Sequence, residues 1–301
     1  MSWLLIVIIA QFAQAGALFL DKFLLSKKFP IPAVLTFWTA VANLVGCVFV
    51  FWNFNFWPGW YIFVLALLSG VAFTIALQFL YMGLKKGEAT HITPLVGAVV
   101  PVVSFLLSYF WFGEVLTQNQ TIAVVLLVVG ALITSFETTR KKSGIHIGML
   151  WAVIAGIFFA ISYVTVRAVY LEESFSTGFV FARLGSFLAA LPLLAVPSVY
   201  KSIFNRTKKQ EKQAKGGYLL LAVNKGLAAF YFLGMNFAIS LASATLVNAL
   251  AGLQFALLFV VVFVSSKLVP KFFNEYFTRT EIIQQIIAML FIIGGLAFMV
   301  F

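Results

Sequence analysis

WYIFVLALLSGVAFTIALQFLYMGL, Trp60 to Leu84, runs for 25 residues without a charged side chain. A helix needs roughly 20 apolar residues to cross about 30 Å of hydrocarbon, so this stretch reads as a membrane span. Working outward from it, similar runs recur between charged breaks, approximately at 3–20, 31–52, 60–84, 89–113, 120–136, 147–166, 178–199, 217–239, 243–266 and 282–301. None alternates with period two as a membrane barrel strand would. The expected fold is an all-α polytopic membrane protein with ten transmembrane helices, numbered here as spans one to ten.

Composition agrees. Of the 301 residues 63% are apolar or aromatic and 10% are charged, against roughly 25% charged in a soluble domain. A water-soluble globular enzyme is excluded. The net charge of +11 would suggest nucleic acid in a soluble protein, but bilayer proteins gather Lys and Arg in cytoplasmic loops, so no nucleic-acid partner is expected. The single cysteine, Cys47, lies within an apolar run, which leaves no intramolecular disulfide. With two histidines beside it, no metal site or cofactor is expected. The first run has no basic residue before it and ends in Asp21-Lys22, so it reads as a retained helix rather than a signal peptide.

Loop charge gives an orientation. Seventeen of the twenty basic residues fall in the connections after spans one, three, five, seven and nine, and only Arg167 falls in the others. The bias places the first set in the cytoplasm and both termini outside, in an inner-membrane, multi-pass protein. Trp3, Trp52, Trp57, Trp60 and Trp111 then form an outer aromatic belt. The Lys201–Gly217 connection reads as a basic cytoplasmic loop, in which the sequon Asn205-Arg206-Thr207 should be silent.

The two halves resemble each other. A shift of 155 superposes Ala89-Thr90, Ile92 and Gly97 on Ala244-Thr245, Val247 and Gly252, and a shift of 165 superposes Ala123, Gly130 and Phe136 on Ala288, Gly295 and Phe301. The predicted units are residues 1–142 and 143–301, five spans each. Five is odd, so the second unit enters the membrane inverted, as in many carriers.

Ala76-Leu77 through Ala89, Pro94, Pro101, Phe112-Gly113-Glu114, Leu116-Thr117 and Gly130-Ala131-Leu132-Ile133 resemble the EamA-type repeat of the drug/metabolite transporter superfamily. The second half fits it loosely: Ala249 and Ala256 replace the two prolines, and Val269 stands where Glu114 would be. The resemblance implies a ten-helix secondary carrier that moves small metabolites, often outward.

Polar groups inside the spans are the candidate site residues, since each needs a partner or water. Arg183 and Lys225 lie within spans seven and eight. Either they snorkel to an interface or they line a solute cavity and attract an anionic group. No Asp or Glu is predicted within a span, which leaves both cations uncompensated and disfavours proton exchange on an embedded carboxylate. Gln11 and Gln14 occupy span one. Possible coupling then rests on His91 or on Glu114, although Glu114 is also expected to close the turn between spans four and five, and His91 to be a hydrogen-bonded bystander. Asn43, Gln254 and Trp38 are further substrate-binding candidates, Trp38 with packing as its alternative role. Pro94, Gly97 and Pro101 predict either a hinge or a static kink in span four.

The expected function is secondary transport of small polar metabolites, amino acids or related carboxylates first, through a central cavity by alternating access. Sugar-phosphate or nucleotide-sugar cargo is the alternative. A membrane-embedded lipid-modifying enzyme would require paired carboxylates, and none is seen. The partners expected are the metabolite and the bilayer, with the chain a monomer or a homodimer. Without a Walker motif, ATP does not drive this chain directly.

Overall fold

The computed structural model describes residues 2–135, 147–204, 216–268 and 279–300. Arg140, Lys141, Lys142, Arg206, Lys208, Lys209, Lys212, Lys215 and Lys271, the sequon, and Phe136, Val269 and Phe301 lie outside the described residues. Nine of the described helices are long and apolar enough to cross a membrane, and Arg279–Val300 adds a shorter apolar stretch, Ile282–Phe298. The chain is an all-α polytopic membrane protein.

Span one outruns its apolar run. Ser2–Phe23 is α-helical and continues as a π-helical turn, Leu24–Lys28, in which Phe29 N–H reaches Leu24 O at 2.7 Å. Asp21 and Lys22 therefore lie on the helix instead of ending it. Lys22 is held because its Nζ donates to the carbonyls of Leu84, at 2.7 Å, and Gly87, at 2.5 Å. They lie at the last turn and C-cap of span three, Trp60–Lys86, where a cation is favoured.

Spans two and seven share an unusual form. Pro32–Asn43 tightens into the 3₁₀ segment Leu44–Phe51, and Phe175–Ala190 tightens into Leu191–Ala195. Pro32 stands in the first turn of its helix, where its missing N–H leaves nothing unpaired. Ser174 caps span seven by accepting from Thr177 N–H at 3.2 Å. A separate helix, Pro197–Phe204, follows, so Lys201 is helical where a loop was predicted.

Span four, Ala89–Phe112, stays helical through both prolines and ends at Gly113, whose φ of +65° suits a residue without Cβ. Span nine has no proline and is nevertheless broken, into Ala244–Ala249 and Gly252–Leu268. Bonds from Ala251 N–H to Asn248 O and from Gln254 N–H to Ala251 O, 3.0 and 3.1 Å, tighten the break. Spans five, six, eight and ten are Gln118–Ser135, Ile147–Glu172, Gly217–Leu241 and Arg279–Val300.

Several contacts between spans recur when each span is advanced by five. Span one lies on eight and nine; span six lies on three and four. Two against seven, four against nine and five against ten each map onto themselves. Glycines set the closest approach. A Cβ on Gly70 would meet Ala182 O and Ser186 N, and one on Gly185 would meet Leu67 O. Spans three and seven thus touch backbone to backbone, as small-residue membrane interfaces do. Thr74 Oγ1 adds a bond to Ser186 O at 2.9 Å. Outward faces carry exposed Leu5, Leu68, Leu106, Leu219 and Ile293, as a surface that meets lipid tails requires.

Candidate functional site

Spans one, two, three, four, six, eight and nine enclose a central cavity of about 90 Å³. It lies around mid-bundle, toward the end that carries the lysine-rich connections. Gln14, Leu18 and Asp21 line it from span one, and Lys225, Ala228, Ala229 and Phe232 from span eight. These spacings place each set on one helical face. The break in span nine brings Asn248, Ala251 and Gln254 to the same space.

The sequence reading of carboxylate-free spans is overturned here. Asp21 is 6% exposed, and its Oδ1 lies 3.2 Å from Lys225 Nζ. Tyr81 completes the cluster: its hydroxyl donates toward both Asp21 oxygens, at 3.5 and 3.4 Å, and accepts from Lys225 Nζ at 3.2 Å. Thr39 Oγ1 stands 3.1 Å behind the tyrosine. Lys225, 7% exposed, neither snorkels nor presents an uncompensated field. The physical reason is the helical extension of span one by two turns, which carries Asp21 to the depth of Lys225. The polar spacing Gln11, Gln14, Asp21 already marked that inward face. Tyr81 and Thr39 carried no comparable signal.

Arg183 does not snorkel either. It is 3% exposed, and Nε and Nη1 have no hydrogen-bond partner. Its guanidinium lies 5.3, 4.9 and 4.7 Å from the ring centroids of Phe73, Phe179 and Phe232. Phe73 and Phe232 line the cavity, whereas Arg183 sits behind them. The aromatic faces offset part of the desolvation of the cation.

The remaining candidates divide. Asn43 and Gln254 line the cavity; Asn43 donates to Ser186 Oγ at 3.2 Å, and Gln254 Oε1 is buried without a partner. Gly97 also lines it, packed on the Phe255 ring, with its carbonyl left unaddressed by Pro101. Trp38 is elsewhere, edge-on to Phe37 and Tyr218 at 6.0 and 6.3 Å. His91 is buried away from the cavity, its Nδ1 3.2 Å from Thr134 O and its Nε2 3.9 Å from Glu88. Glu114 does not close the turn between spans four and five, which Gly113 makes through its backbone. Its carboxylate instead accepts from the hydroxyls of Ser243 and Thr245, at the start of span nine. Among the described residues, no three His, Cys, Asp or Glu side chains gather to hold a metal.

A central cavity with an internal ion pair invites comparison with known carriers. Residues 1–136 match the EamA-like transporter family. A solved crystal structure covers 99% of this chain and 95% of its own at a TM-score of 0.67 and 16% identity, which shows a common fold. An uncharacterized protein of Methanocaldococcus jannaschii is 33% identical over 72 residues, 24% of this chain. The chain covers about half of that relative, 52% of its length. Residues 1–136 are thus similar to membrane transporters of the EamA-like family.

Proposed function

We propose that the chain is a secondary carrier that moves a small zwitterionic metabolite, an amino acid or close relative, through the central cavity by alternating access. The observation that carries this reading is the Asp21–Lys225 pair in the cavity wall. An internal pair offers one anion and one cation a few ångströms apart. A zwitterion presents the complement, carboxylate toward Lys225 Nζ and ammonium toward Asp21. It exchanges ionic contacts without leaving a buried charge alone, which is the expensive alternative. Tyr81, Asn43 and Gln254 supply uncharged polar contacts around the pair.

Size favours small cargo. A volume of about 90 Å³ corresponds to roughly three waters at about 30 Å³ each. That suits a solute of amino-acid size and is too little for a nucleotide-sugar. Residues 1–142 and 143–301 act as inverted halves in this reading, supported by the packing pattern that recurs five spans on. Gly97, flanked by Pro94 and Pro101, and the break in span nine are the proposed flexing points. Glu114 and His91 are left structural, since neither lines the cavity.

Loop charge supports a cytoplasmic basic end, so the cavity would load from the cytoplasm and export is the proposed direction. In a Cys47→Ser background, a cysteine at position 56, where Phe56 is 77% exposed, should react with an impermeant reagent added outside intact cells. Reaction only after permeabilisation would reverse the orientation. The function itself is tested by counterflow into proteoliposomes from a metabolite library. Small zwitterions should exchange saturably, and absence of flux for every solute would favour a receptor or scaffold.

A further inference from the structure

Arg183 poses a physical problem that the carrier reading leaves open. A guanidinium that is 3% exposed, with two nitrogens lacking any hydrogen bond, is an expensive group to keep inside a membrane. Among the described residues no carboxylate pairs with it. Aromatic faces supply attraction but no hydrogen-bond acceptor in the plane of the fork. What is missing is an anion.

The surroundings indicate where such an anion would come from. On one side, Phe73 and Phe232 meet edge to face at 4.3 Å, and both line the central cavity. Tyr163, which also lines the cavity, is a further neighbour of Arg183. On the other side, Phe179 contacts Phe49 and Phe175 at 5.6 and 5.2 Å. Those two rings line a second, apolar cleft of about 640 Å³, between spans one, two, seven and eight in the opposite half of the bundle. Arg183 therefore sits between two cavities that follow one another along the bundle, walled from each by aromatic rings.

We propose that Arg183 is a second, carboxylate-receiving site, closed in this conformation by Phe73 and Phe232 and reached when those rings turn aside. This rests on the carrier reading and deepens it. A carboxylate that leaves Lys225 would find the next cation beyond a single aromatic contact, and the cleft past Phe179 beyond that. The planar fork fits a carboxylate through two parallel bonds, which a spherical anion cannot use in the same way. The ammonium of a zwitterion contributes nothing at Arg183. Selection for the zwitterion thus belongs to Asp21–Lys225, and the inner site reads the acid group alone.

The test separates the two sites by probe. Melting temperatures of the full chain in nanodiscs are followed against sodium propionate, L-alanine and, at equal ionic strength, sodium chloride. Opening the wall with Phe232→Ala should lower the propionate concentration for half-maximal stabilisation at least tenfold. Adding Arg183→Gln should abolish that response, and Arg183→Lys should keep part of it. Phe73→Ala, which opens the same wall from span three, serves if the Phe232 variant does not fold. A propionate response that survives Arg183→Gln, one that chloride reproduces, or none in the opened variants overturns the proposal. If L-alanine stabilises the parent but not Lys225→Met, while the propionate response survives Arg183→Gln, the carrier reading stands and the Arg183 site falls.

Discussion

Lys225→Met should destabilise the folded protein by about 3–5 kcal/mol, the usual effect of removing one partner from a buried ion pair. The variant keeps the length of the side chain but leaves the Asp21 carboxylate, 6% exposed, with Tyr81 as its remaining hydroxyl donor. The loss comes from the stranded charge and not from the absent attraction. The double variant Asp21→Asn/Lys225→Met should therefore recover most of the stability, because no ion remains to be desolvated. Equilibrium unfolding of the three proteins in mixed micelles checks this. A single variant as stable as the parent would mean that water or lipid headgroups reach Asp21 freely.

The second large effect concerns packing. Gly185→Ala should destabilise by about 1–3 kcal/mol, the range for overpacking a filled interface. A Cβ at that position collides with the Leu67 backbone, and backbone cannot rotate away as a side chain would. Gly70→Ala, on the facing helix, should behave alike. Gly226→Ala is the internal control. Nothing lies within 4 Å of a Cβ there, so the gain in helix propensity, about 1 kcal/mol, should appear undiminished. Unfolding midpoints that fall for Gly185→Ala and rise for Gly226→Ala would place the closest contact between spans three and seven. Equal responses would contradict it.

Much of this architecture is legible in the sequence because the bilayer imposes so few solutions. Apolar run length and loop charge alone give the spans, and the EamA-type signature around Pro94, Pro101 and Gly113-Glu114 is local enough to read in one chain. The site is less legible. Asp21 looks like the end of span one since a charge normally stops an apolar run, and only tertiary contacts with Lys225 and Tyr81 reveal that the helix continues with its charge satisfied. Trp38 takes the packing role that was its alternative, edge-on to Phe37 and Tyr218, because its place in span two does not fix the direction of its ring. Span four, with two prolines, is continuous, while proline-free span nine is broken. Backbone breaks at a cavity are set by what the helix packs against as much as by local propensity. Glu114 shows the same limit, since its partners Ser243 and Thr245 lie more than 120 residues away.

The most direct test of the Asp21–Lys225 exchange is counterflow of L-alanine in proteoliposomes holding the parent chain or Asp21→Asn/Lys225→Met. That double variant removes both charges without stranding either, so loss of function is separated from loss of fold. The account expects saturable exchange by the parent and at least a tenfold lower rate for the variant at equal folded amount. Equal exchange by the two proteins would contradict it.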